Sequence, residues 1–201
     1  MSDQPTESDP HSGIDSDAAR AALRREKIAA RRALDPATHR QASARIHDML
    51  HGFLAARPAG SIGFCWPIRA EVDCRSLVTR LRAAGWQACM PTVVQADAPM
   101  VFRGWWPDAP MQADPFGIPV PGTHTVPAPD VLLVPLVACD ATGYRLGYGG
   151  GYFDRTLAAC TRRPYTIGVG FELCRVDSIH PGRHDIPLDA SVTELSFKTY
   201  R

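Results

Sequence analysis

The chain has 201 residues, of which 45% are hydrophobic, and its formal net charge at pH 7 is +1. This length and apolar content suffice for one folded domain with a substantial core. The near-neutral charge argues against a nucleic-acid-binding surface and against an acidic tail. No apolar run reaches membrane-spanning length and no secretion signal opens the chain, so we expect a cytoplasmic protein without membrane contact. The six cysteines show no C-x-x-C pairing, which favours reduced, buried thiols.

The start of the chain differs in composition from the rest. Residues 1–15 are rich in Ser, Asp, Pro and Thr and offer little apolar surface to bury. This composition predicts a disordered tail, followed by a single domain over residues 16–201. Ser16 or Asp17 could cap the first helix, which should run to about Leu34.

The first predicted helix is strongly basic. Arg20 and Arg24 are four residues apart, so their guanidinium groups should project from one face of it. On composition alone a solvated cationic face is the simpler interpretation. A phosphate-binding pair is the alternative, and the pattern by itself does not decide between the two.

Further along the chain, apolar runs of strand length alternate with segments of helical periodicity. This alternation is typical of an α/β fold with a mainly parallel sheet covered by helices on both faces. The proline-rich segment 107–129 should be a surface loop with little regular structure. The predicted helices cover residues 35–56, 74–84 and a stretch from Tyr152, and the predicted strands cover residues 61–66, 86–94, 100–106, 131–137, 166–171 and 192–200.

The most informative stretch joins a strand, a glycine-rich turn and the start of a helix. Residues 131–137 form a nearly continuous apolar run, as expected of a strand that is buried on both faces. The turn that follows is rich in glycine up to Gly151, and a helical pattern starts at Tyr152. Glycines let backbone N–H groups approach an anion, and a helix N-terminus adds unpaired donors and a partial positive charge. The stretch therefore predicts a phosphate site.

Charged residues flank this turn. Arg145 should lie at its mouth, where a guanidinium could pair a phosphate through two hydrogen bonds. Asp154 opens the helix, either as a simple first-turn residue or as a magnesium ligand. A flexible loop without a ligand is the alternative, but it would not require Arg145, Tyr152 and Asp154 at its ends. The spacing matches neither the P-loop nor the Gly-x-Gly-x-x-Gly fingerprint.

A second candidate region follows the first predicted strand. Ligands of open α/β sheets bind beyond the carboxyl ends of the strands, and Trp66 and Glu71 should lie in that zone. A planar heterocycle needs an apolar face and a polar partner at its edge, which this pair could supply. A core tryptophan and a solvated or capping glutamate are the structural alternatives.

The glycine-rich stretch resembles the signature of a known enzyme family. Residues 145–155 read Arg-Leu-Gly-Tyr-Gly-Gly-Gly-Tyr-Phe-Asp-Arg, and residues 134–140 read Val-Pro-Leu-Val-Ala-Cys-Asp. Together they resemble the 5-formyltetrahydrofolate cyclo-ligases, which are also called 5,10-methenyltetrahydrofolate synthetases. The resemblance extends to the basic helix from Arg20, to residues 64–73 and to residues 184–189.

This resemblance implies a fold and a reaction. The implied fold is one three-layer α/β/α, Rossmann-like domain with a mainly parallel sheet. The implied activity is ATP-dependent cyclisation of 5-formyltetrahydrofolate, through a phosphorylated formyl (imidate phosphate) intermediate. It would use ATP as co-substrate, Mg²⁺, and a reduced folate as the small-molecule substrate of a monomer or weak homodimer.

The resemblance also assigns roles to individual positions. The implied nucleotide contacts are Arg20, Arg24, Arg145, Leu146, Gly147, Tyr148, Gly149, Gly150, Gly151, Tyr152 and Phe153. The implied folate contacts are Trp66, Glu71, Tyr148, Gly149, Gly150, Gly151 and Tyr152. Arg145 and Tyr152 are the implied catalytic residues, and Asp154 and Asp189 are the implied magnesium ligands, with Asp140 and Asp185 as alternatives.

The chain departs from the pattern of this family at several positions. Arg20 stands where Lys is usual, Val120 where Glu is expected, and Cys174 where a Gln is common. These departures keep open a paralogue that binds folate or nucleotide in a regulatory role without cyclising the folate. A different sugar-phosphate or nucleotide enzyme on a similar sheet is a further alternative, although Glu71 and residues 152–154 fit it less well.

Overall fold

The structure is a computed structural model that describes residues 11–200. Helices and strands alternate along most of this range. The helices are α1 (His11–Arg32), α2 (Pro36–Ala55), α3 (Arg75–Ala83) and α4 (Tyr152–Ala159), and a 3₁₀ turn covers Glu172–Cys174. The strands are β1 (Ser61–Gly63), β2 (Gln87–Thr92), β3 (Val101–Gly104), β4 (Met111–Ala113), β5 (Pro119–Pro121), β6 (Thr125–Val126), β7 (Val131–Pro135), β8 (Ala138–Cys139), β9 (Arg145–Leu146), β10 (Tyr165–Val169), β11 (Ala190–Val192) and β12 (Phe197–Thr199).

The main sheet of the described range has the strand order β12-β11-β10-β7-β1-β2-β3-β6. The neighbours from β11 to β2 run parallel, whereas β12, β3 and β6 pair antiparallel at the two edges. The chain passes from β1 to β2 on one side of the sheet and from β7 to β10 on the other. A topological switch point therefore lies between β1 and β7, and ligands of open α/β sheets bind in the crevice at such a point.

Strand β7 is buried on both faces and separates two apolar clusters. Val131 and Leu133 belong to the cluster that includes residues of α2 and α3, whereas Leu132 and Val134 belong to the cluster that includes Leu157 of α4. Full burial of one such Leu or Val side chain stabilises the fold by about 1.5–3 kcal/mol. Helices therefore cover both faces of the sheet, and the predicted mainly parallel α/β fold is confirmed.

Helix α1 starts earlier than predicted. It begins at His11 and not after a cap at Ser16 or Asp17. The rest of the predicted disordered tail, residues 1–10, lies outside the described residues.

Helix α1 packs at the carboxyl ends of the strands. The elements that it packs against include β8 and the 3₁₀ turn. Its Leu23 packs against a small buried cluster formed by Ala138, Leu146 and Ile179. The basic residues of α1 are therefore close to the loops that follow β7.

The proline-rich segment has more regular structure than predicted. Strands β4 and β5 form a hairpin, and β6 pairs with the edge strand β3. Pro119 and Pro121 are two residues apart, so both point their missing N–H groups to the same side of β5. Such an edge position is where a sheet tolerates proline.

The end of the chain also differs from the prediction of one strand over residues 192–200. Strands β11 and β12 form an antiparallel hairpin. The turn between them is closed by a hydrogen bond from Thr193 N to Ser196 O at 2.9 Å. The predicted run therefore began at the last residue of β11 and contained β12, and no glycine or proline in residues 193–196 marks the turn between the two strands.

Two expectations from composition concern thiols and membranes. All six cysteines are free, and Cys74, Cys89, Cys139 and Cys174 are buried. Within residues 11–200, no helix combines the length and the apolar character that a membrane crossing requires.

Candidate active site

The glycine-rich loop, Gly147–Gly151, lies between the hairpin β8–β9 and α4, beyond the carboxyl end of β7. Asp140 shapes this hairpin, because its Oδ1 accepts hydrogen bonds from Thr142 N (3.0 Å), Thr142 Oγ1 (2.7 Å) and Tyr144 N (3.1 Å). Leu146 is fully buried and anchors the start of the loop. Asp140, which the sequence offered as an alternative metal ligand, is therefore a buried residue whose carboxylate stabilises the turn between β8 and β9.

The loop presents backbone donors toward solvent. In the described part of the chain, the N–H groups of Gly149, Gly150 and Gly151 donate no hydrogen bond to the protein. Gly149 and Gly151 have φ angles of 97° and 64°, which side chains rarely adopt. Gly151 is also the N-cap of α4, whose first turn adds unpaired N–H groups and the positive end of the helix dipole. This is the donor pattern of an anion site.

Arg24 flanks this loop. Its Nε donates a hydrogen bond to Gly147 O at 2.7 Å. Its guanidinium lies against Gly149, where an added Cβ would come within 3.5 Å of Arg24 Cζ. Burial, and next the positive charge of Arg20, lower the pKa of Arg24. An anion beside the two guanidinium groups would relieve this repulsion.

Arg20 is held in an ion pair. Its Nη1 donates to Asp185 Oδ2 at 2.7 Å and its Nη2 to Asp185 Oδ1 at 3.3 Å. Nη1 also donates to His180 O at 3.2 Å. The hydrogen bond with Asp185 raises the pKa of Arg20. The two arginines that were predicted to act alike are therefore placed differently, since Arg24 lies at the loop and Arg20 joins α1 to the segment before β11.

Arg145 lies beneath the loop, so the prediction that it sits at the mouth is wrong. Only 5% of its side chain is exposed. Its Nη1 donates to Ile186 O at 2.6 Å and its Nη2 to Asp154 Oδ1 at 2.9 Å. The same carboxylate oxygen accepts a hydrogen bond from Ile186 N at 3.0 Å. Arg145 and Asp154 therefore clamp the start of α4 to the segment before β11.

The predicted magnesium ligands Asp154 and Asp189 lie in different parts of the structure. Asp189 precedes β11, at the amino ends of the parallel strands, where its Oδ2 accepts hydrogen bonds from Thr166 N (2.8 Å) and Thr166 Oγ1 (2.7 Å). The glycine-rich loop lies at the opposite end of the sheet. Across residues 11–200, no three His, Cys, Asp or Glu side chains form a group that could hold a metal ion. The side chains of the described residues therefore do not fit a magnesium site that the protein alone would build.

Glu71 approaches the glycine-rich loop from the other side of the switch point. It is buried, and its Oε1 accepts a hydrogen bond from Tyr148 Oη at 2.5 Å while its Oε2 accepts one from Ile68 N at 3.0 Å. Burial raises the pKa of Glu71, and these hydrogen bonds and the charge of Arg31 oppose the rise. Burial and the charge of Glu71 raise the pKa of the Tyr148 hydroxyl, which keeps it a donor. A predicted folate contact and a predicted loop residue therefore touch each other.

Glu71 follows a turn with a strained backbone. Arg69 and Ala70 have φ angles of 50° and 60°, and each such residue costs on the order of 1–3 kcal/mol. Arg31 Nε donates to Arg69 O at 3.0 Å, and His39 Nε2 lies 3.1 Å from Ala70 O. Helices α1 and α2 hold the turn through these contacts, and the turn fixes the position of the Glu71 carboxylate.

The aromatic residues of the predicted site lie on its two sides. The Trp66 ring lies 4.3 Å from Arg75 Cζ and packs against the cluster beside α3. The Tyr152 ring, at the end of the glycine-rich loop, meets the exposed Phe116 edge-on at 5.7 Å. Phe153, a predicted nucleotide contact, packs against the cluster on the α4 side of the sheet.

Two of the departures from the family pattern are buried. Val120 lies in β5 and Cys174 lies in the 3₁₀ turn, where its Sγ would be 3.1 Å from a Cβ added at Gly170. Both side chains occupy buried positions in this fold. Neither Val120 nor Cys174 therefore supplies an exposed polar group to a ligand.

Comparison with known proteins gives the family of this chain. Residues 16–194 match the model of the 5-formyltetrahydrofolate cyclo-ligase family. The chain belongs to that family. A 5-formyltetrahydrofolate cyclo-ligase of Escherichia coli K12 is 27% identical over 170 residues, which are 81% of this chain and 93% of the relative. One of Mycolicibacterium smegmatis is 30% identical over 160 residues, which are 73% of this chain and 80% of the relative.

A solved structure supports the same assignment. The NMR structure of Aquifex aeolicus 5,10-methenyltetrahydrofolate synthetase superposes on this cyclo-ligase family member with a TM-score of 0.77 at 26% identity. The match covers 90% of this chain and 93% of the other. The family is one of ligases, so the chain is an enzyme, and it shares its mainly parallel α/β fold with a solved relative.

Sequence reasoning missed one residue of the candidate site. Arg31 is only 4% exposed, and it contacts Tyr148, Glu71 and the main chain of two loops. The available signal was its spacing, because it follows Arg24 by about two helical turns and so shares its face. Among the other basic residues of α1, that spacing was not distinctive.

Proposed function

We propose that this cyclo-ligase family member converts 5-formyltetrahydrofolate to 5,10-methenyltetrahydrofolate in an ATP-dependent cyclisation that releases ADP and phosphate. The observation that carries the proposal is the hydrogen bond between Tyr148 and Glu71 at the switch point. It supports the proposal because Glu71, the candidate folate partner, lies beside a loop whose Gly149, Gly150 and Gly151 amides donate no hydrogen bond to the described residues. The names of the Escherichia coli and Aquifex aeolicus relatives support the same reaction.

The chemistry requires activation of the formyl group. Its oxygen is a very poor leaving group, because it belongs to an amide. Transfer of the γ-phosphoryl group to that oxygen breaks the terminal P–O bond of ATP, forms a new O–P bond and releases ADP. Nitrogen-10 then attacks the carbon of this imidate phosphate. Phosphate leaves with the C–O bond electrons, nitrogen-10 loses its proton, and the methenyl bridge remains.

The residues of the site position the reactants and stabilise charge, as in other phosphoryl transfers. The amides of Gly149, Gly150 and Gly151, together with Arg24, would stabilise negative charge on the γ-phosphoryl oxygens. Glu71 would accept a hydrogen bond from the polar edge of the pterin-like ring. Tyr152, the residue after these glycines, would contact the folate near the reacting carbon.

The proposal is tested by mixing the protein with Mg-ATP and 5-formyltetrahydrofolate and following the absorbance of the methenyl product. We expect product to form together with one equivalent of ADP, and no product when ATP is replaced by a non-hydrolysable analogue. Folded protein that binds folate without forming product would support the regulatory alternative. Folded protein that neither binds nor converts the folate would contradict the proposal.

A further inference from the structure

Arg31 has the most extensive set of buried polar contacts near the proposed site. It lies in the last turn of α1, where Nε donates to Arg69 O at 3.0 Å and Nη1 donates to Leu136 O at 2.8 Å. Nη2 donates to Tyr148 Oη at 2.8 Å and lies 3.7 Å from Glu71 Oε1. One planar guanidinium therefore joins α1, the end of β7, the loop after β1 and the glycine-rich loop.

The chemistry of these groups sets the direction of the hydrogen bonds. A guanidinium can only donate, so Tyr148 Oη must use a lone pair to accept from Arg31. The single proton of the Tyr148 hydroxyl is then left for Glu71 Oε1, at 2.5 Å. The Tyr148 ring is also covered on one face by Arg69, whose Cζ lies 4.9 Å from its centroid. These contacts therefore fix the position of the Tyr148 ring and the direction of both hydrogen bonds of its hydroxyl group.

We propose that Arg31 is a positioning residue, which holds Tyr148 of the glycine-rich loop against Glu71 and so assembles the nucleotide and folate sides of the site as one unit. This inference rests on the proposed function. Arg31 touches neither substrate, and it acts through Tyr148 and Glu71. The simpler alternative is that Arg31 only attaches α1 to the sheet and matters for stability alone.

The positioning role and the purely structural role differ in kinetics and binding. If Arg31 positions Tyr148 and Glu71, Arg31→Met should raise the KM and the Kd for 5-formyltetrahydrofolate at least tenfold, measured per folded molecule. The KM for ATP should change less than threefold, because Arg24 and the glycine amides are retained. Arg32 is the matched control, since it is the next residue of the same helix and is exposed. Arg32→Met should leave all three constants within twofold of the original protein.

A double variant tests the route through Tyr148. Tyr148→Phe removes the hydroxyl that joins Arg31 to Glu71 and should itself raise the folate KM. Arg31→Met should then have a clearly smaller effect in the Tyr148→Phe background than in the original protein, because residues that act through one contact are not additive. If the double variant instead raised the folate KM and Kd by the product of the two single effects, Arg31 and Tyr148 would act independently and the proposal would be overturned.

A second pair of variants decides the matter if Arg31→Met does not fold. Arg31→Lys keeps the charge but lacks the planar fork that reaches three acceptors at once. The proposal then predicts raised folate constants for Arg31→Lys and for Tyr148→Phe, each with a melting temperature recorded alongside. Unchanged folate constants in both variants would overturn it.

The Kd for folate, measured by calorimetry without ATP, separates this inference from the proposed function. If the original protein binds folate but makes no product, the proposed reaction fails, and the effect of Arg31 on the Kd still decides the positioning role. If the original protein does not bind folate, both proposals fall.

Discussion

At the scale of single residues, the pair formed by Arg145 and Asp154 supports the floor of the proposed phosphate site. Arg145 is nearly inaccessible, and its guanidinium joins Asp154 Oδ1 at 2.9 Å and Ile186 O at 2.6 Å. A buried cation is tolerated when it is paired and hydrogen-bonded, and it is costly when its partner is removed. The Asp154 carboxylate therefore compensates the buried positive charge of Arg145.

The ion pair between Arg145 and Asp154 predicts the effect of removing the Asp154 carboxylate. Asp154→Ala should lower the free energy of unfolding by about 3–5 kcal/mol, because it leaves the Arg145 charge buried and unpaired. Urea unfolding at pH 7 measures this change. Asp177→Ala is the control, because Asp177 is exposed, and such a surface change should stay within about 0.5 kcal/mol. An Asp154→Ala protein as stable as the original would contradict the assigned role.

At the scale of elements, the ion pair between Arg20 and Asp185 attaches α1 to the segment that leads into β11. Asp185 also accepts a hydrogen bond from Gly182 N at 2.7 Å. Burial tends to raise the pKa of Asp185. The hydrogen bonds from Arg20 and Gly182 and the charges of Arg20 and Arg145 outweigh that effect and leave the pKa lowered. Because Arg24 lies on the same helix, this attachment also holds Arg24 at the glycine-rich loop.

The lowered pKa of Asp185 predicts a pH dependence of stability. The native state binds this proton less tightly than the unfolded state does. The pair therefore stabilises the fold above the ordinary carboxyl pKa of about 4, and the stabilisation is lost as the pH falls through the lowered native value. Asp185→Asn should lower the free energy of unfolding by about 1–3 kcal/mol at pH 7.

The same substitution should make the loss of stability below about pH 4 shallower. Unfolding free energies measured between pH 7 and pH 3 check both effects, with Asp177→Asn as the exposed control. If Asp185→Asn and the original protein lost stability along the same acid curve, the ion pair between Arg20 and Asp185 would not stabilise the fold.

At the scale of the whole molecule, the site exists because long-range strand pairing brings two loops together. The apolar run of residues 131–137 was enough to predict a strand buried on both faces, and the glycines before Tyr152 were enough to predict a loop that offers its backbone amides to an anion. The pairing of β7 with β1 is not encoded in either segment alone. It is this pairing that places Glu71 against Tyr148.

The errors of the sequence prediction have the same origin. Asp189 lies close in sequence to Asp185, but an extended chain covers about 3.3–3.6 Å per residue. A few residues are therefore enough to carry the chain from the carboxyl ends of the strands, at Asp185, to their amino ends, at Asp189. Arg145 was placed at the mouth of the loop because sequence order cannot show that Asp154 and Ile186 enclose its guanidinium.

The proposed function requires the loop from Gly149 to Gly151 to bind the phosphates of ATP. Titration of ¹⁵N-labelled protein with Mg-ATP, followed through the backbone amide resonances, tests this binding most directly. We predict that the largest shifts occur at Gly149, Gly150, Gly151 and Tyr152, with saturation at the same ATP concentration as turnover. ATP binding that leaves those amides unshifted while resonances elsewhere move would contradict the claim.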